Sequence, residues 1–482
     1  MKRILLKILR YGFFALVCLA TIIALVIAEE NFRSKREWES YKREHEARGE
    51  RLDLQPLIPP PVPDEQNFAM TPLLRPLFPD GKIYAEELQK KLEFPAAKPD
   101  AKRPGFGDRA SGKRVNLDDW RTYFGGQDVL PVLQKFDPEL REISDAVRRP
   151  YSRFPVSYEK GLGTSLPHMQ VLMNLGKIYT LRAFAESREG QSDASLADVQ
   201  TVFRLTESVK DEPTLISLLV RIAICQTGLQ AAWDGLADRR WSDAQLSVLQ
   251  DELARADFLT GLQMAFRGER AEFNSTMLQV VGNPKNLPGL MGIGDGKNNT
   301  VWQFIPSGWF YQNMLTTNRF YDAVLPSSSD PAALRTLAAR YNEAAAKVKV
   351  DSVLNFFGIR MLNPYNVLLA IGVPVFSNVT TRAFYAQVST DEAVIACALE
   401  RYRLANGQYP DALEKLVPAF LKTVPLDAVS GEPLHYRLKD DGNFLLYSVG
   451  ADGKDDGGKN VLKKSGSVDI TQGDWVWSLK PL

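Results

Sequence analysis

The sequence predicts a mainly α protein: an N-terminal transmembrane helix, a helical bundle, and a small C-terminal α+β domain in which a long helix packs on a short antiparallel sheet. Three observations carry this. An uncharged apolar run fills Tyr11 to Ala28. Apolar stripes at helical spacing dominate the middle of the chain. Near the end the pattern shifts to short strand-like runs between glycine-rich turns. The organisation reads as an anchor over 1–30, a charged stalk and proline-rich strap over 31–116, a bundle over 117–360 and an α+β domain over 361–482.

The anchor comes first. About 20 apolar residues span a bilayer as a helix, and Tyr11 to Ala28, extended past Lys7 by Ile4 to Leu9, meets that length. Lys2, Arg3, Lys7 and Arg10 precede it and favour a cytoplasmic N-terminus, although Arg33, Lys35 and Arg36 follow its other end. A cleaved signal peptide is the alternative, with Val26-Ile27-Ala28 as its cleavage region. The long apolar core favours an uncleaved anchor. This predicts a single-pass membrane protein, its C-terminal bulk on the side opposite the cytoplasmic N-terminus and the lipid bilayer its first partner.

Glu29 to Arg51 carries mixed charges at one-turn spacing and reads as a solvated helical stalk. His45 lies between Glu44 and Glu46, but adjacent helical positions point about 100° apart, so this trio makes no metal cluster. Eight prolines between Pro56 and Pro79 then exclude helix interior and favour extended geometry. The interleaved Leu57, Ile58, Phe68, Leu73, Leu74, Leu77 and Phe78 predict that this strap packs along the body. Residues 82–114 read as loop.

From about Leu117 to Val350 the chain reads as successive helices. Ser242-Asp243-Ala244-Gln245 is a capping box before a run from Leu246 to Phe273. Asp330-Pro331 supplies an N-cap and a first-turn proline. No clean repeat emerges.

Composition limits function. With 482 residues, 45% hydrophobic and 24% charged, the chain can bury a sizeable core. A formal net charge of +1 argues against a nucleic-acid partner, which requires a basic field. Cys18, Cys225 and Cys397 form no metal or disulfide spacing and read as small apolar residues. The glycine-rich Gly289 to Gly296 lacks the phosphate-loop lysine and reads as a connector, and the aromatics Trp302, Phe304, Trp309, Phe310 and Tyr311 read as core or interface. Glu269 with Glu272, and Asp251 with Glu252, are acid pairs that sequence cannot place across a cleft. Ser165 near His168 makes no nucleophile relay, and no hydrolase signature is present. The expectation is a protein that is not an enzyme.

Met361 to Thr381 is uncharged but holds two prolines, and its apolar core is short for a span; it reads as a buried or membrane-surface helix. Phe384, Val388, Ile395, Leu399 and Tyr402 then share one helical face. Asn406-Gly407 ends that helix, and Leu434 to Leu438 and Phe444 to Val449 read as strands. The loop after them, Ser448 to Gly458, is acidic and glycine-rich. Calcium takes six to eight hard oxygen ligands, and such a loop can converge carboxylates and carbonyls. Asp452, Asp455, Asp456 and, beyond a lysine-rich insertion, Asp469 are the candidate ligands. A solvated turn is the plainer alternative.

This order, helix, Tyr402 to Pro410 as YxLxNGxYP, proline-rich loop, hairpin, and the GADG of Gly450 to Gly453, resembles the globular part of the major pseudopilin of bacterial type II secretion systems. The resemblance covers about a fifth of the chain and implies calcium in the acidic loop, most directly at Asp452 and Asp469. Lys459, Lys463 and Lys464 depart from the family, and the prepilin processing signature is absent. The whole chain is also similar to membrane-anchored bacterial proteins with this C-terminal fusion. The expected function is a membrane-anchored, non-enzymatic structural or protein-interaction component of the envelope, associated with type II secretion or pilus-like machinery and partnered by other envelope or secretion proteins. The alternative is a periplasmic enzyme or ligand-binding protein with its site in the bundle.

Overall fold

A computed structural model describes residues 2–79, 81–286, 305–351, 353–356 and 359–479. The predicted glycine-rich connector at Gly289 to Gly296, and Trp302 and Phe304, lie outside them.

Helix α1 runs unbroken over Lys2–Ala47, joining anchor and stalk. Among the described residues, three helices are long and apolar enough to cross a membrane; none of the apolar window of α1 is buried, against 72% for Leu215–Ala237 and 28% for Val367–Asn406. The protein's own core covers most of the window in Leu215–Ala237 and a smaller part of that in Val367–Asn406, whereas α1 leaves its apolar side chains bare.

The second half of α1 differs from a solvated stalk. Ser34, Trp38 and His45 are buried against the helix Ser307–Val324. Spacings of four and seven place these three side chains on one face, which the charged residues flank. The strap follows in short 3-10 turns and lies on the body through buried Phe68, Leu74 and Leu77. Its downstream part, expected as loop, contains the helix α2, Lys82–Lys91, whose Ala85 and Leu88 are buried. Tertiary burial of that small apolar pair offsets the lack of a strong sequence periodicity.

Short helices α3 (Leu117–Tyr123), α4 (Val129–Leu133) and α5 (Asp137–Ala146) lead into the bundle. There α6 (His168–Arg188), α7 (Ser192–Glu207), α8 (Leu215–Ala237), α9 (Asp243–Leu253) and α10 (Phe258–Gly282) pack in sequence. The capping box at Ser242 and Gln245 is present as read. The long run after it is broken, however: the chain leaves the helix after Leu253 and restarts where Asp257 accepts the N–H of Thr260 at 2.9 Å. A competing N-cap thus splits one apolar pattern into two helices. Next come α11 (Ser307–Val324), α12 (Pro331–Arg335, capped by Asp330) and α13 (Leu337–Asp351), then a small antiparallel hairpin, β1 (Val353–Phe356) with β2 (Ile359–Leu362).

Helix α14, Val367–Asn406, is a single 40-residue element that absorbs Pro374. Its first turns are part-exposed, with Ile371 and Val375 open to solvent, while Val379 onward is mostly buried. β3 (His435–Leu438), β4 (Phe444–Ser448) and β7 (Trp475–Trp477) form an antiparallel sheet in the order β3-β4-β7, and β5 (Asn460–Leu462) pairs with β6 (Val468–Gly473). Phe444, Leu446, Trp475 and Trp477 join α14 and the bundle in one continuous apolar core running from Phe68 to Leu479. Mainly α, with a small α+β part, is the observed class.

Candidate functional site

The C-terminal unit is tied together before its acidic loop begins. Gly407 closes α14 in the left-handed region at φ 80°, a geometry that glycine adopts without a Cβ penalty. The buried Tyr409 then donates its hydroxyl back to Glu400 at 2.8 Å, and Tyr436 on β3 donates to the carbonyl of Pro410 at 2.6 Å. The proline-rich loop is fixed by Asp427, which accepts the Ser448 hydroxyl at 2.9 Å and the N–H of Val429 at 2.9 Å. Ser448 is the last residue of β4, so this bond sets where the acidic loop departs.

Three of the four predicted ligands accept hydrogen bonds from the chain itself, Asp452 and Asp455 in the loop and Asp469 on β6. Asp452 accepts the N–H of Lys454 at 3.2 Å and of Gly473 at 3.3 Å. Asp455 accepts the N–H of Gly457 at 2.8 Å and the Tyr447 hydroxyl at 3.2 Å, and the Gly457 bond first of all holds its pKa down. Asp469 accepts both the N–H and the hydroxyl of Thr471, which likewise lower its pKa. Asp456 is exposed and contributes its backbone N–H. No three of the four carboxylates lie within 4.8 Å of one another.

The residue that closes the loop was missed. Asp474, fully buried, accepts N–H donors from Asp456 at 3.1 Å, Gly458 at 2.7 Å and Lys459 at 3.2 Å. Converging amides form a nest that selects an anion, here the chain's own carboxylate. In this geometry the loop's shape rests on a carboxylate at its centre, with Asp452 bridging to Gly473 beside it. The signal available in sequence was Gly473-Asp474-Trp475, a charged residue between a turn glycine and an apolar strand.

Among the described residues, the one His, Cys, Asp or Glu trio whose ligand atoms lie within 4.8 Å is His45, Glu50 and Asp322. His45, set aside above because of Glu44 and Glu46, finds other carboxylates through the fold. Its Nδ1 stands 2.6 Å from Glu50 and its Nε2 3.3 Å from Asp322. The Arg270 guanidinium donates to the same Asp322 at 3.0 Å. Both ring nitrogens face carboxylates and an arginine completes the charge, so the cluster is a link between α1, α10 and α11 rather than an open cation site.

The acid pairs separate. Glu269 and Glu272 lie one turn apart on α10, and burial pushes their pKa values up to about 7 and about 8, Glu272 also feeling Glu269. Glu252 is instead held by Arg204 at 2.7 Å and Arg255 at 3.1 Å. His168 does not meet Ser165: its Nε2 lies 2.7 Å from Glu212, whose other oxygen accepts the Ser217 hydroxyl at 2.6 Å. A carboxylate between serine and histidine is the wrong order for a nucleophile relay, which needs histidine in the middle. Phe310 and Tyr311 are core residues, while Trp309 is 36% exposed.

A long helix packed on a short antiparallel sheet with a glycine-rich acidic loop is the arrangement that the resemblance to pseudopilins implied. In agreement, the chain is 34% identical over 112 residues to the type II secretion system core protein G of Pseudomonas aeruginosa, a match that takes in 20% of this chain and 78% of that protein. Through this region the chain belongs to the family of that core protein. No family model matches the chain, and no solved structure matches it.

Proposed function

We propose that the protein is a non-enzymatic, membrane-anchored component of the bacterial envelope that works with type II secretion or pilus-like machinery. The region shared with core protein G is the observation that carries this reading. α1 supplies the inner-membrane anchor, and the body packed on its far half stands in the periplasm. The contact surface toward the machinery is made by the edge strands of the two C-terminal sheets, where Leu438 on β3 and Leu462 on β5 are 43% and 52% exposed. Edge strands with exposed apolar side chains are ready surfaces for another chain.

Because α14 shares the bundle's core, truncation at Ala383 would expose that core and give no clean test. The better test places a photo-crosslinking residue at Leu438 or Leu462 in cells and identifies the captured proteins. Capture of secretion or pilus components from these positions, and not from a site on the opposite face of the bundle, is expected. Equal capture from both faces would overturn the reading.

A further inference from the structure

A cleft of about 1110 Å³ lies between the proline strap and the bundle, far in sequence from the pseudopilin-like region. Six cationic side chains line it, Arg148, Arg149, Arg153, Arg204, Lys210 and Arg255, against the three carboxylates Glu207, Asp211 and Glu252. The two walls differ in how their charges are met.

On the bundle wall the charges are largely paired. Glu252 holds Arg204 and Arg255, and Glu207 holds Arg221 at 2.6 Å. On the strap wall they are not. Arg149 donates to the backbone carbonyl of Asn67 at 2.9 Å, and Arg153 to that of Pro59 at 2.8 Å. Neutral acceptors fix the position of these two guanidinium groups without cancelling their charge. Among the described residues, none of Arg148, Arg149 and Arg153 stands in an ion pair, and Arg148 is exposed. Positioned guanidinium groups with free N–H forks match carboxylates with bidentate geometry.

The rest of the lining indicates what carries those carboxylates. Pro59, Pro60, Val62 and Tyr151 give a flat apolar flank, suited to an extended backbone. The volume exceeds the roughly 300–1,000 Å³ of small-molecule pockets. We propose that this cleft binds an extended acidic segment of a partner polypeptide, its carboxylates meeting Arg148, Arg149 and Arg153 while its backbone lies along the strap. The site stands on the strap and bundle alone and holds whatever the C-terminal sheet contacts.

The test uses the full chain in lipid nanodiscs and fluorescence anisotropy of a labelled peptide of about ten alternating Glu and Pro residues, with a Lys-Pro peptide as control. Saturable binding of the acidic peptide is expected, with affinity falling about tenfold in Arg148→Glu and falling further as salt rises. Arg148→Lys, which keeps the charge but loses the bidentate fork, gives an intermediate loss. Among the described residues Arg148 makes no hydrogen bond or ion pair, so its replacement leaves the fold intact, and Lys210→Glu on the facing wall, where Lys210 stands 3.8 Å from Glu207, adds to the loss by making that wall more acidic. Equal binding of the two peptides, full binding by the Arg148→Glu/Lys210→Glu double variant, or tighter binding of a single-stranded oligonucleotide would each overturn the proposal.

Discussion

The carboxylate of Asp474 accepts the backbone N–H of Gly458 at 2.7 Å, joining the end of the acidic loop to the start of the last strand. Two further amides, of Asp456 and Lys459, point at the same group. Four predicted ligands lie around this bond, yet the buried group at its centre is a fifth aspartate.

Asp474→Ala therefore leaves three amides without an acceptor and lowers stability by about 2–3 kcal/mol, read by chemical denaturation. Asp455→Ala, in an exposed turn, and Asp469→Ala, on β6 where its carboxylate accepts only from Thr471, change it little. Chelator is expected to leave the wild-type melting temperature unchanged, because Asp474 already closes the loop. A calcium-dependent rise that disappears in Asp452→Asn would instead assign the cation to the ligands read from sequence.

The α10 acids give stability a pH slope. Their folded pKa values, about 7 for Glu269 and about 8 for Glu272, stand above the unfolded carboxylate value. The folded state therefore holds more protons than the unfolded state between roughly pH 4.5 and pH 8. The contribution is intact below the unfolded pKa and is lost as pH rises through the folded one. Glu272→Gln should flatten that part of the pH–stability curve and raise stability near pH 8 by about 2 kcal/mol. An unchanged slope would mean that Glu272 ionises normally in the fold.

Gly308 opens α11 where its first turn meets Glu30 and Asn31 of α1. A Cβ there would stand 2.8 Å from the Glu30 carbonyl oxygen, and its N–H donates to Asn31 at 2.7 Å. Because the obstacle is backbone, Gly308→Val must push the two helices apart. The variant is expected to be less stable than the parent by about 1–3 kcal/mol, read by chemical denaturation. Unchanged stability would show that the helix pair tolerates the branch.

Arg109 is buried beside Glu392 at 3.6 Å, donates to Ser389 at 2.8 Å and lies over the Trp477 ring at 4.6 Å. It carries the strap into the seam between α14 and β7. Arg109→Met alone strands Glu392, whose pKa burial already pushes up, and should cost about 3–5 kcal/mol. Adding Glu392→Met removes the stranded charge and should recover much of the loss. A double variant no better than the single one would locate the cost in the lost ring contact.

The acidic loop shows why part of the site could not be read. Asp452 and Asp469 stood out because glycines and like charges surround them, a local pattern. Asp474 sits among apolar strand residues, and its importance comes from three amides brought to it by a turn sixteen residues earlier. His45 repeats the lesson, since its acidic neighbours in sequence are not its partners, and Asp322 reaches it only through the packing of α11 on α1.

Sequence by itself determined the apolar N-terminal helix, the helical middle, the capping box at Ser242, the end of α14 at Gly407 and the hairpin that follows. All of these rest on hydrophobic period and on backbone preferences that act within a few residues. Tertiary structure alone decided that the stalk is a packed helix, that α14 runs unbroken through Pro374 into the common core, and that three unpaired arginines face a cleft. Each of these depends on which distant surface buries a residue or which distant carbonyl takes its proton. Burial and pairing between remote segments leave no periodic mark in the chain.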